Sequence, residues 1–148
     1  MEQDKELLFT DLSARLPSRV KVKMGDFDYI LIGIEPKYEN GSIIDMQAAL
    51  VGLEKDKEFV IHVPLNLVKP YLRPMSSMTE EEKKDYHKRC IIKYIKASPG
   101  LRYNGWYEHY DTYKSFDWLL KNHFDFRGLI SKGLAIEVTE DNNPYKSK

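Results

Sequence analysis

Between Val20 and Val63 the chain alternates apolar and polar residues in four runs separated by links of only a few residues. Alternation at every second position is the pattern of strands, and links this short cannot carry a crossover, so neighbouring runs must pair antiparallel. Val20 and Val22 stand against Lys21 and Lys23; in the next run Phe27, Tyr29 and Leu31 take one face and Ile30, Ile32 and Ile34 the other. Gly25-Asp26 joins these two strands. The second run, apolar on both faces, is expected at the centre of the sheet, covered on both sides and ended by Pro36. Glu39-Asn40-Gly41 signals a turn into a third strand, Ile43 to Val51, and the charged turn Glu54 to Lys57 leads to a fourth, Phe59 to Val63. Four short strands joined in this way make a meander or a small, partly open barrel.

The flanks read as helices. Leu8, Leu12 and Leu16 at i, i+4 and i+8 predict a short amphipathic helix from Asp4 to Leu16, with the acidic start Glu2, Asp4 and Glu6 suited to its N-terminus and Pro17 closing it. The segment PLNLVKPYLRP, punctuated by Pro64, Pro70 and Pro74, predicts ordered but irregular chain, with Leu65, Leu67, Val68, Tyr71 and Leu72 closing one end of the sheet. Overlapping capping boxes at Ser77–Glu80 and Thr79–Glu82 announce a helix with a buried stripe of Tyr86, Cys90, Ile91, Tyr94 and Ile95. Its basic last turn is Lys93 and Lys96, and Ser98-Pro99-Gly100 stops it. A further helix begins near Thr112, with Phe116, Leu119, Leu120 and His123 along its apolar face; Gly128 is its stop, Gly133 a second bend, and Leu134 to Val138 a short extended run. Half of the aromatic residues fall in this helix and its approach, so Ser115 to Val138 is expected to contribute heavily to the core. The fold reading is a single α+β domain over residues 1–138: a short N-terminal helix, a four-stranded mainly antiparallel sheet or small partly open barrel, and two C-terminal helices packed on it. The polar tail TEDNNPYKSK, 139–148, is expected to be disordered.

The 148 residues suit one domain, and a formal net charge of zero with the charges well mixed removes the global basic field of a dedicated DNA binder. The single Cys90 excludes an internal disulfide framework. With no signal-peptide pattern, it predicts a reducing, cytoplasmic location. No apolar run approaches the roughly 18 residues of a bilayer span, so no membrane partner is expected.

Three blocks, LFTDLSARLP (8–17), VKPYLRPMSSMTEEEKKDY (68–86) and SFDWLLKNHFDFRGLISKGLAIEV (115–138), resemble a family of small uncharacterised proteins encoded by anaerobic gut bacteria and by their phages and prophages. The resemblance implies a bacterial or phage cytoplasm. It brings no activity and no site residues.

The residues themselves carry few chemical signatures. His62, His87, His109 and His123 are dispersed and form no metal-ligand spacing, so neither metal nor cofactor is expected. His123, on an apolar helix face, reads as a core histidine bonded to a carbonyl or carboxylate, and His62, between Ile61 and Val63, as pointing outward. His87 and Cys90 share a helix face and can be read as a dyad, but Cys90 also continues the buried stripe. Glu80 to Glu82 fit capping and the helix dipole better than a metal cluster. The segment from Leu101 to Tyr113 interleaves aromatics with polar groups. Arg102, Tyr103, Trp106, Tyr107 and Tyr110 there suit a protein-recognition surface or stacked bases; Trp106, Tyr110 and Tyr113, at i, i+4 and i+7, equally fit packing on the sheet. Arg19, Lys21 and Lys23 on one strand face are the alternative, a surface tracking the phosphates of single-stranded nucleic acid, or else a solvated edge. The expectation is a non-catalytic accessory or interaction protein of bacterial or phage origin that binds a protein partner through the 101–113 aromatic surface, the alternative a small-barrel binder of single-stranded nucleic acid.

Overall fold

The computed structural model describes residues 2–97 and 104–146, and between 92 and 110 the backbone alone. Helix α1 (Glu2–Arg15) turns Leu8 and Leu12 into the core and passes through a 3-10 turn at Leu16–Ser18 into β1 (Lys21–Met24). Strands β2 (Phe27–Glu39), β3 (Ser42–Glu54) and β4 (Lys57–Pro64) follow as a meander, and the order across the sheet is β4-β3-β2-β1. The turns are set by local chemistry. Gly25 turns the chain at φ 62, Asn40 and Gly41 at 51 and 81, and Lys55 and Asp56 at 49 and 62, the left-handed twist that two-residue hairpins need.

The fold is α+β with an open sheet, wider than the four strands expected from alternation. The proline-rich stretch supplies β5 (Lys69–Pro74), antiparallel to β1 through Val22–Pro70 and Lys23–Lys69. A residue preceding proline is driven into extended backbone, so Pro70 and Pro74 favour the strand they were expected to prevent. The short strands β8 (Phe124–Asp125) and β9 (Ile136–Glu137) pair parallel to β5, at Arg73–Phe124 and Tyr71–Ile136. The run Leu134 to Val138 thus contributes only this two-residue strand. Nor does Pro36 end β2, which continues opposite β3 to Glu39, because the fixed φ of proline is compatible with extended chain. β2 is central, yet only one of its faces is covered: Leu31 is buried whereas Ile32, the extra residue of a bulge, is 47% exposed.

Helix α2 (Glu80–Cys90) begins with Thr79 in a full capping box with Glu82, and its last turn carries His87, Lys88 and Arg89. It stops at Cys90. The residues expected to prolong it form β6 (Ile91–Ala97), paired antiparallel with β7 (Asn104–Tyr110) in a separate hairpin. Ile91, Ile92, Tyr94 and Ile95 are β-branched or aromatic, and this preference overrides the helical spacing. Helix α3 (Thr112–Lys121) is capped by Asp111, whose side chain accepts from the Lys114 N–H. Its buried residues are Ser115, Trp118 and Leu119; Phe116, expected inside, is half-exposed and stacked on Phe126. The helix ends at Lys121, and His123 at φ 61 turns the chain away well before Gly128.

Two apolar clusters result. The larger joins Leu8 and Leu12 to Val20, Val22, Leu31, Leu50, Val68, Leu72 and Leu129; the smaller packs Cys90, Trp118, Leu119 and Phe124 beneath Tyr86 and Met78. The capping box predicts that Thr79→Ala destabilises the protein by about 1 kcal/mol while Thr79→Ser is nearly neutral, as measured by urea denaturation.

Candidate functional site

The charges on α1 do not all face water. Asp11 and Arg15, one helical turn apart on the side that carries Leu8 and Leu12, are fully buried. The Arg15 Nε donates to Asp11 Oδ2 at 2.6 Å and its Nη2 to Asp11 Oδ1 at 3.1 Å and to the Phe124 carbonyl at 2.7 Å. Arg127 adds a donor to Asp11 Oδ1 at 2.9 Å and lies over the Phe126 ring. A buried guanidinium needs this many partners, and the Arg15 Nη1 still has none.

Near this cluster the tail returns to the sheet through Pro144 and Tyr145, while 139–142 stay exposed. The Tyr145 ring stacks on His123 with centroids 3.8 Å apart. Its hydroxyl accepts from the Lys21 N–H at 3.1 Å and donates to the Tyr71 carbonyl at 2.8 Å. The β1–β5 ladder has its last pair at Val22–Pro70, so the phenol bridges the next two facing residues where the strands part. The Lys21 ammonium donates to the Pro144 carbonyl at 2.6 Å, and the Tyr71 hydroxyl donates to Asp28 at 2.6 Å. Burial and then the Asp28 carboxylate push the Tyr71 phenol up to about 12. Burial also pushes Tyr145 up. His123 is not the carbonyl-bonded core histidine expected: its Nδ1 has no partner, and burial, with Arg15, Arg73 and Lys21 nearby, holds it down at about 4.

Two of the grooves among the described residues have apolar floors. The first is a groove of about 450 Å³ between the solvent side of α1 and the far end of β3. Leu8, Phe9, Ile44, Met46 and Leu65 form its apolar lining, and Glu2, Glu6 and Asp45 outnumber Lys5 among its charges. Phe9 is 38% and Ile44 49% exposed there. The second is the sheet face turned away from α1, where Ile30, Val51 and Leu53 floor a shallower groove of about 250 Å³ edged by Arg19, Lys21, Asp28 and Glu58.

The sequence-predicted site residues fare differently. Arg102 and Tyr103 lie outside the described residues, as do the side chains of Trp106, Tyr107, Tyr110 and His109. The backbone register sets Trp106 opposite Ile95 and Tyr107 opposite Tyr94. The three cations of the alternative do not form one strand face: Arg19 precedes β1 at φ 52, and Lys21 is engaged by the tail, leaving Lys23. His62 points outward as expected and meets Glu35 at 2.7 Å. Glu82 caps α2 and pairs with Arg73, whose hydrogen bonds hold its carboxyl below the usual range. Cys90 is fully buried and its thiol is pushed up by that burial, against thiolate formation. Among the described residues no three His, Cys, Asp or Glu side chains gather as metal ligands, and no helix is long and apolar enough to cross a membrane. Comparison with protein-family models, with curated proteins and with solved structures returns no match, so the function rests on the site alone.

Two outcomes follow from the tail. Tyr145→Phe removes the bridge between Lys21 and Tyr71 and should destabilise the protein by about 1–3 kcal/mol, with faster amide exchange at Lys21. Because His123 is neutral when folded and its pKa lies below the unfolded value, stability should fall as pH drops from about 6.5 to about 4. The full effect amounts to at most about 3 kcal/mol. In His123→Asn, urea denaturation across that window should show a smaller loss.

Proposed function

We propose that the protein is a non-catalytic interaction protein, and that it holds a cationic, amphipathic segment of a protein partner in the groove between α1 and β3. The supporting observation is the pairing of exposed Phe9 and Ile44 on an apolar floor with a rim of three carboxylates, Glu2, Glu6 and Asp45, against one ammonium, Lys5. Apolar contact supplies the affinity of such a groove and the rim selects the sign of charge. Arg102, Tyr103, Trp106, Tyr107 and Tyr110 are proposed as a second contact, on sequence grounds. The single-strand reading is the weaker one, since Lys21 already donates to the Pro144 carbonyl.

Fluorescence anisotropy with a labelled peptide of alternating Leu and Lys, and with its Leu/Glu counterpart, tests the groove. The Lys peptide should bind more tightly, and Ile44→Arg should weaken it roughly tenfold or more. Equal binding of the two peptides, or binding unchanged in Ile44→Arg, would count against the groove as the docking site.

A further inference from the structure

β4 ends the sheet order, and β3 is its one strand partner among the described residues. Its register with β3 runs unbroken from Gln47–Pro64 to Glu54–Lys57, whereas β2–β3 is interrupted twice by bulges. Natural edge strands are usually shielded by prolines, bulges or inward charges. Here Pro64 closes one end and Lys57-Glu58 opens the other, but Phe59 to Val63 carry none of these, and Val60 is 52% exposed.

The hydrogen-bond phase of that edge follows from its turn. Lys55 and Asp56, both at positive φ, make a two-residue hairpin whose flanking pair Glu54–Lys57 exchanges both backbone bonds. Alternation then turns the N–H and C=O groups of Phe59, Ile61 and Val63 toward β3, and those of Glu58, Val60 and His62 toward open solvent. Three successive outward residues with free donors and acceptors are a template for another strand.

We propose that a second copy of this chain occupies the edge, the two β4 strands running antiparallel about a two-fold axis through Val60. In this register Val60 faces the partner's Val60, Glu58 faces the partner's His62, and Phe59 faces the partner's Ile61. Every facing pair is on the same side of the joined sheet, and all three outward residues fall at hydrogen-bonding positions. The symmetry makes the Glu58–His62 juxtaposition occur twice, with His62 keeping its own Glu35 at Nε2 and turning Nδ1 to the partner. It also extends the apolar row Ile30–Val51–Val60, already in register within one copy, across both sheets. A slip by two residues in either direction sets Val60 against the partner's Glu58 or His62 and loses both pairings. An isologous contact of this kind closes after two copies, so it yields a dimer and not a fibre.

Sedimentation velocity of the full chain over a concentration series, with a disulfide assay, tests the proposal. The wild type should sediment as two chains. Val60→Lys, which places two ammonium groups on the axis, should shift the dimer to monomer with unchanged circular dichroism. Under mild oxidation the V60C variant should link to itself, while the L53C variant, on the same sheet face one strand further in, should not; native Cys90 is fully buried and does not compete. The V60C assay keeps the register testable even if V60K fails to fold. A wild type that stays monomeric, a dimer that V60K leaves intact, or L53C linking as readily as V60C would overturn it.

Discussion

The fully buried Arg15 guanidinium is the constraint around which the rest of the molecule is arranged. A charge placed there is tolerable only where a carboxylate and further acceptors are fixed around it, and Asp11 one turn earlier with the Phe124 carbonyl provides them. Phe124 belongs to β8, which pairs with β5, which pairs with β1. One side chain of the N-terminal helix therefore fixes where the chain returns at its other end. The same anchoring sets the position of α1 over the sheet, hence the groove beside Phe9 and Ile44. It also places His123, next to Phe124, where Tyr145 can stack on it.

How much of this could be read beforehand depended on whether the determinant was local. Asn40-Gly41, Gly25 and the Thr79–Glu82 box act over a few residues, and the hairpins and the start of α2 were accordingly foreseeable. The prolines at 70 and 74 were misread because their helix-breaking effect hid their equally local drive toward extended chain. The end of α2 was misread because Ile91, Tyr94 and Ile95 stay in helical phase with Tyr86 and Cys90, and only their β-branched and aromatic character argues otherwise. Asp11 and Arg15 do leave a signal, charges at i+3 and i+7 on the stripe begun by Leu8. Tyr145, one aromatic in a polar tail, had none, since its partners Lys21, Tyr71 and His123 are distant in sequence.

The proposed contact surfaces sit where the fold leaves apolar side chains without cover. A meander with α1 on one face leaves its other face and its last strand open, and the long β2–β3 arm reaches past α1 to make a groove. None of these surfaces was evident from composition, because Phe9, Ile44 and Val60 resemble any strand or helix apolar residue until their neighbours are known. By contrast, the cation stripe Arg19, Lys21 and Lys23 looked like a surface in sequence and is partly consumed by the returning tail.

A double-mutant cycle on Asp11→Leu and Arg15→Met, read by urea denaturation, bears most directly on the role of the buried cluster. If Arg15 and Asp11 hold the two ends of the chain together as a unit, the coupling energy should be roughly 2 kcal/mol or more, and the double variant more stable than Asp11→Leu alone. Single effects that add to within about 0.5 kcal/mol would contradict it, and would mean that α1 is held by Leu8 and Leu12 without help from the charges.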